Sequence, residues 1–275
     1  MYPEWLEADV NQNYFQENEY FIGKFNFIHT YLHQNYQYRM HAHQFYEINI
    51  IVSGEGMHYI ENNRLDAKAG DVFVIPPEVR HGYYSNGTLD IFHVLIKKDF
   101  LARYSEELGE VGGFGILFDI EPDIRKSTGA SFNLNLGHGE LEMFKGVLEQ
   151  MVRVEKRREY VRLNALTMDF ICRLCNRISS VTMSERDREI VGIMEYIRSN
   201  IDEKITLSSL CEQSHMSAAT LNRRFRSAVG QSPMEYVLSV RVARAKELIS
   251  EGKLSRTEIA LSCGFYDLAH MNKYL

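Results

Sequence analysis

The 275-residue chain lacks several things, and each lack narrows what it can be. No apolar run approaches the roughly 20 residues of a bilayer-spanning helix, so no membrane partner is expected. Met1-Tyr2-Pro3-Glu4-Trp5 has neither the basic start nor the apolar core of a signal peptide, and a cytoplasmic address is expected. Cysteine is scarce. Cys172 and Cys175 lie in an apolar helical pattern with no second pair at zinc-site spacing, and Cys211 and Cys263 sit in short helical runs, so all four read as reduced core residues. A basic excess is missing too, since the net charge is -6, and that total alone argues against nucleic acid. Its distribution argues otherwise. Residues 187–275 carry 12 Lys/Arg against 11 Asp/Glu, and the stretch from Ala218 to Val229 holds three arginines and no carboxylate.

What is present fits an ordinary globular protein of two domains, with 45% hydrophobic and 25% charged residues. The last 70 residues write one pattern twice. Ile205-Thr206-Leu207-Ser208-Ser209-Leu210 and Leu254-Ser255-Arg256-Thr257-Glu258-Ile259 share a register of apolar residue, hydroxyl cap and apolar residue, so each starts a short helix. A sharp turn follows each, near His215-Met216-Ser217 and at Cys263-Gly264-Phe265, and a second helical run follows each turn. Ser232-Pro233-Met234-Glu235 opens a long helix between the copies, ending at Gly252. The reading is a repeated helix-turn-helix held at fixed separation.

This arrangement resembles the DNA-binding domain of the AraC/XylS family of transcription regulators. The resemblance rests on Met216-Ser217, Leu221, Arg223, Phe225, Gly230, Ser232-Pro233, Tyr236, Arg241, Ala245, Ile259-Ala260, Cys263-Gly264-Phe265, Asp267 and His270. It implies double-stranded DNA as partner, and RNA polymerase as a further one. Asn222 and Arg223 are the base-edge candidates, because asparagine suits adenine and arginine suits guanine in the major groove. Ala219 suits a thymine methyl, Arg224 and Arg226 suit phosphates, and Ser217 and Thr220 complete the first set. In the second motif, Leu268, Ala269, His270 and Lys273 hold the family's contact positions and form a poorer hydrogen-bonding set, so the first motif should carry more specificity. Family members usually continue beyond the position of Leu275 with a closing helix, so the second recognition helix is expected to be short and uncovered.

The N-terminal half reads as short strands: residues 23–28, 46–52, 57–60, 71–75 and 91–96, punctuated by Gly, Asn and Pro. Such spacing points to a sandwich or barrel. Within it, His41-Ala42-His43-Gln44-Phe45-Tyr46-Glu47 with Gly54, and Gly70-Asp71 through Pro76-Pro77 to His81, resemble the two motifs of the cupin family; Glu78 and Asn86 depart from that pattern. A two-residue period puts His41, His43 and Glu47 on one strand face, where a paired strand could bring His81. Three imidazoles and a carboxylate suit a divalent transition metal such as Fe, Mn, Ni or Zn, and equally suit a pocket that uses them as hydrogen-bonding groups with no cofactor required. Tyr46 and Tyr83 join these four as ligand candidates, and the tyrosine-rich surroundings, including Tyr31, Tyr36 and Tyr38, favour a sugar effector. His33, His58 and His93 read as ordinary surface or packed histidines.

From Gly139 to Ile178 the period is helical. Leu141, Phe144, Leu148 and Met151 make one stripe; Leu163, Leu166, Phe170 and Leu174 make another, across the charged break Glu155-Lys156-Arg157-Arg158-Glu159. The stripes could close on each other in a hairpin or pair across a two-fold as a homodimer.

The expected fold class is α+β: a cupin-like sensor barrel with its N-terminal arm (1–137), a helical linker or dimerisation segment (138–186), and an all-α domain with two helix-turn-helix motifs (187–275). The expected function is an effector-responsive transcription regulator of carbohydrate genes, with no catalytic residues. Two rivals stand beside it: a metal-dependent cupin enzyme fused to a DNA-binding tail, and a constitutive DNA-binding protein with an inert dimerising barrel.

Overall fold

The computed structural model describes residues 14–23, 25–129, 134–179 and 185–275. The N-terminal arm with Tyr2 and Trp5 lies outside the described residues, as does most of the polar stretch from Ser179 to Asp187. The chain forms two compact units, Met1–Thr182 and Met183–Leu275.

The first unit is a curled eight-stranded sheet with helices packed on it. Its strands are β1 (Tyr14–Phe15), β2 (Ile28–His33), β3 (Tyr38–His43), β4 (Tyr46–Ile60), β5 (Asn63–Lys68), β6 (Val72–Ile75), β7 (His81–Tyr84) and β8 (Leu89–Ile96), with a short helix α1 (Glu17–Tyr20) after β1. Hydrogen-bonded neighbours run β1-β3-β7-β4-β8-β2, and β5 and β6 also pair with β4. The 15-residue β4 drives the curl: its first half pairs with β6 and its second half with β5 and β7. The ladder to β8 is irregular between Ile51 and Ser53, beside Gly54 at φ +82°, where a Cβ would stand 1.7 Å from the Thr88 carbonyl oxygen. Only glycine fits that bend. The first strand of this sheet with more than two residues begins at Ile28, not at Gly23. The alternate residues His29, Tyr31 and His33 are polar or aromatic rather than aliphatic, which hides the alternation.

Four short helical segments follow β8: α2 (Lys98–Arg103), α3 (Ser105–Gly109), a π-helical turn (Ile116–Ile120) and α4 (Glu121–Thr128). Sequence periodicity misses them because none is long enough to repeat a stripe. The long pair α5 (His138–Lys156) and α6 (Tyr160–Ser179) comes next. Leu141, Phe144, Leu148 and Met151 join Leu163, Phe170 and Leu174 and the sheet residues Ile28, Ile48, Val94 and Ile96 in one buried cluster. Both stripes are thus covered within a single chain, each large side chain contributing about 1.5–3 kcal/mol by burial. Within the charged break, Glu155 is not at the surface: its side chain is 14% exposed and folds onto β2.

The second unit contains α7 (Glu185–Ser199), α8 (Leu207–Ser214), α9 (Ala218–Val229), α10 (Pro233–Glu251), α11 (Arg256–Ser262) and α12 (Leu268–Asn272). Thr206, Ser217, Ser232, Ser255 and Asp267 each cap a helix by accepting from the backbone N–H three residues on. Such a cap is worth about 1 kcal/mol. The second turn depends on Gly264 at φ +72°, where a Cβ would meet the Ile201 carbonyl at 2.2 Å. Beneath it, Ala245, Ile259, Ala260, Cys263, Phe265 and Met271 form one core. Among the described residues, no helix is long and apolar enough to cross a membrane.

Candidate functional site

Two sites follow from these elements, one in each unit. In the first unit, β3 ends at His43 and β4 starts at Tyr46, with a bend at Gln44 and Phe45 between them. His41, His43 and Glu47 therefore lie on two strands, not one, yet they still converge, because β3 pairs with β7 and sets His41 opposite His81. All four side chains are buried. Glu47 is the hub: one carboxylate oxygen, Oε2, lies 3.1 Å from His43 Nε2 and 3.2 Å from His81 Nε2, and Oε1 lies 2.6 Å from His93 Nδ1. His93, read from sequence as an ordinary packed histidine, is a direct partner of this carboxylate. Its position on β8, opposite Asn49 of β4, brings it there, and no local motif announces that pairing.

Backbone carbonyls fix the orientation of two rings. His41 Nδ1 lies 2.9 Å from the Arg39 oxygen and His43 Nδ1 lies 2.7 Å from the Phe45 oxygen, so each Nδ1 donates. With Nδ1 donating to the Phe45 carbonyl, His43 Nε2 is the nitrogen that faces Glu47, and a close approach there needs a proton or a metal cation between the two atoms. Burial alone would push the Glu47 carboxyl up, but hydrogen bonds from His43, His81 and His93, with the field of His81, hold it well below the usual carboxylate range. Burial, reinforced by the neighbouring His81, pushes His41 well down, and burial also lowers His81 against the pull of Glu47. The hub is an ionised carboxylate among imidazoles of which at least His41 is neutral. Ligand atoms of His41, Glu47 and His81 all lie within 4.8 Å of one another, while His43 stands 3.2 Å from His81 through the two Nε2 atoms. Adjacent ligands of an octahedral ion stand about 3.0 Å apart, so this donor set fits a transition metal.

A cavity of about 290 Å³ opens above the hub. His41, His43 and Glu47 line it, with Tyr20, Tyr31, Tyr36 and Tyr38 supplying aromatic faces. Burial pushes the Tyr20 hydroxyl up to about 12 and those of Tyr31 and Tyr36 further, so all three remain protonated donors. Tyr31 stacks on His93 with centroids 4.7 Å apart, tying a cavity wall to the hub. His29 and His33 of β2 also line the cavity; His33 is a surface histidine, as read from sequence, at the cavity's exposed edge. Three sequence candidates do not line it: Tyr46, Tyr83 and His81, the last lying behind Glu47 in the hub. Tyr46 packs near Phe118 on the helical side of the sheet, and Tyr83 is fully buried, stacked on His58 and accepting from Asn49 Nδ2 at 3.2 Å. Tyr46 and Glu47 are adjacent in β4, and the alternation of a strand sends them to opposite faces.

In the second unit, α9 buries Leu221, Phe225 and Val229 and turns Ser217, Ala219, Arg223 and Arg226 to solvent. Arg223 makes no ion pair or side-chain hydrogen bond among the described residues, which leaves its guanidinium available. The other candidates are more engaged. Arg224 is bonded to Glu189, Arg226 Nη2 stands 3.7 Å from Glu235, Asn222 Nδ2 donates to the Ala218 carbonyl at 2.9 Å, and Thr220 belongs to the Ser217 cap. On α12, Ala269 is exposed, as is Lys273 just after it, whereas Leu268 packs on the core and His270 accepts from the Tyr266 N–H at 3.4 Å. Helix α12 spans five residues.

Comparison with known proteins matches both units. A model described as the AraC-like ligand binding domain matches residues 26–157, and one described as a helix-turn-helix domain matches residues 210–275. The chain is 22% identical to the HTH-type transcriptional activator RhaR of Enterobacter sp. (strain 638) over 240 residues, covering 82% of this chain and 79% of that one. It is 23% identical to the activator RhaS of the same organism over 235 residues, covering 84% and 81%. The crystal structure of ToxT from Vibrio cholerae O395 aligns with 90% of this chain and 92% of its own, at 12% identity and a TM-score of 0.38.

Proposed function

Since the chain belongs to the AraC family and is a ligand-responsive transcription regulator, not an enzyme, we propose that its effector is a sugar and its targets are carbohydrate-utilisation genes. The cavity lining carries this reading. Among its described residues stand four tyrosines and four histidines, with Leu95 the one aliphatic side chain and no lysine or arginine. Sugar C–H faces stack on aromatic rings, and sugar hydroxyls find donors in the phenols and acceptors in Glu47. An anionic ligand would meet the Glu47 charge with no fixed cation to offset it. At about 290 Å³ the cavity lies near the lower bound of small-ligand sites, about 300 Å³, which favours a monosaccharide over an oligosaccharide.

The first helix-turn-helix supplies most of the sequence specificity in this reading, through Arg223 with Asn222 and Ala219, while Arg224 and Arg226 reach phosphates after exchanging their carboxylate partners for the backbone. A homodimer in the cytoplasm that contacts RNA polymerase completes the proposal. With the α5 and α6 stripes buried, a two-fold contact would use other residues, such as the exposed Met143 and Val161.

The hub geometry favours a second reading for the same cavity, a bound divalent metal. His41, Glu47 and His81 would hold it, with His43 alongside, and the ion would supply a fixed positive centre for a ligand hydroxyl. One experiment separates the two. Melting temperature is measured with a panel of monosaccharides, with and without EDTA, and with Mn²⁺, Ni²⁺ or Zn²⁺ added. A saturable rise with one sugar that EDTA leaves unchanged supports a metal-free sugar sensor; a rise that needs metal and is reversed by EDTA makes the hub a metal centre. No rise with any sugar under either condition overturns the sugar assignment.

A further inference from the structure

The cavity has a wall that is fastened to a helix. His29 lies on β2, which ends the hydrogen-bonded path of the sheet, and its ring lines the cavity beside Tyr31. Its Nδ1 lies 2.7 Å from Glu155 Oε1, and the other oxygen of the same carboxylate accepts from the Thr30 backbone N–H at 2.8 Å. Glu155 belongs to the last turn of α5, where the negative end of the helix dipole disfavours a carboxylate, and its side chain is mostly buried. A charge set against both effects is held there by what it contacts, and it contacts one residue of the cavity wall and the next backbone amide. Glu155 also abuts the hinge between α5 and α6, where Arg158 takes a left-handed φ of 59° that non-glycine residues seldom adopt.

We propose that His29 and Glu155 are positioning residues that transmit cavity occupancy to the α5–α6 turn. A ligand that engages the His29 ring changes the geometry or strength of the bond to Glu155. Because the same carboxylate grips Thr30 N–H, strand edge and helix end shift together. The strands around the hub are tied into the sheet on both sides, whereas β2 pairs with β8 on one side and is held on the other by α5. Among the described residues that line the cavity, His29 is the one whose side chain hydrogen-bonds to a helix outside the sheet. This inference rests on the reading of the cavity as the effector site, and it concerns how that site is felt elsewhere in the first unit.

The test needs no identified effector. In the full chain carrying Cys172→Ala and Cys211→Ala, His33→Cys at the cavity mouth is labelled with N-phenylmaleimide as a tethered occupant. Hydrogen exchange is then followed in peptides covering the α5–α6 turn and in peptides covering β3. Labelling is expected to change exchange at the turn about threefold or more. Adding Glu155→Gln should reduce that change to less than about 1.5-fold while the effect on β3 persists. His29→Phe, which keeps a ring in the wall and removes the bond, should do the same, and it serves where Glu155→Gln does not fold. An undiminished response at the turn in the variants, or no response at the turn in the parent when β3 responds, overturns the proposal. Failure of the sugar panel would leave this result standing, so the two readings fall separately.

Discussion

His58 shows what a single buried residue can contribute. It is fully buried, stacked on Tyr83 and tilted against Phe73, and neither ring nitrogen has a hydrogen-bond partner among the described residues. Burial, then the charges of Arg125 and His81, pushes it well below the usual histidine range. The folded chain therefore keeps His58 neutral at a pH where the unfolded chain, near 6.5, has begun to take up a proton. Stability is complete above about 6.5 and is lost as pH falls toward the folded value. His58→Phe should keep the stack on Tyr83 and flatten the fall in stability between pH 7 and pH 5, by up to about 1.4 kcal/mol per pH unit, seen as a smaller fall in melting temperature. Thermal melts of both proteins across that range check this, and parallel curves would refute it. In the other unit, Arg223, which has no ion pair or side-chain hydrogen bond among the described residues, leads to a second expectation. Arg223→Ala should weaken binding to the cognate site by about 1–3 kcal/mol and relax base preference there. Fluorescence anisotropy on cognate and random duplexes decides the role, since equal losses on both would make Arg223 a phosphate contact.

At the scale of elements, the helix-turn-helix motifs are set by caps and turns, and the sensor by strand pairing. The five capped starts of the second unit hold because the hydroxyl or carboxylate lies within three residues of the amide it serves. Gly264 is the least replaceable of these local features: its backbone is left-handed and the Ile201 carbonyl and Arg241 guanidinium crowd its missing side chain. Gly264→Ala should destabilise the second unit by more than about 1 kcal/mol and weaken DNA binding, as read by chemical denaturation of the full chain; an unchanged midpoint would refute it. In the first unit, the fifteen residues of β4 bridge two groups of strands, and Glu47 near its start meets His81 and His93 from β7 and β8. Sequence separation between these partners runs to 46 residues, so periodicity within any one strand is blind to the hub.

For the whole molecule, regulation means that effector and DNA must influence each other through the chain that joins their sites. If the effector shifts affinity for operator DNA by some factor, operator DNA must shift affinity for the effector by the same factor. Calorimetric titration of whichever effector raises the melting temperature, with and without bound operator, should show that reciprocity. Equal effector affinities in both titrations would leave a DNA-binding protein with an uncoupled cavity. The net charge of -6 does not oppose this function, because the exposed face of α9 presents arginines without carboxylates of its own.

What the sequence determined by itself was local: the repeated cap-and-turn grammar of the second unit, the strand-rich character of the first, the cluster of His41, His43, Glu47 and His81, and the apolar stripes of α5 and α6. Each of these is written within a few residues, by hydroxyl caps, glycine turns or a fixed apolar period. Tertiary structure alone decided that the stripes close on the sheet within one chain, and that His93 completes the Glu47 hub. It also turned Tyr46 and Tyr83 away from the cavity while His29 and His33 enter it, and folded Glu155 onto β2. These depend on which strands pair, where β4 bends and which face a curled sheet turns inward, contacts between residues far apart in the chain that no local pattern encodes.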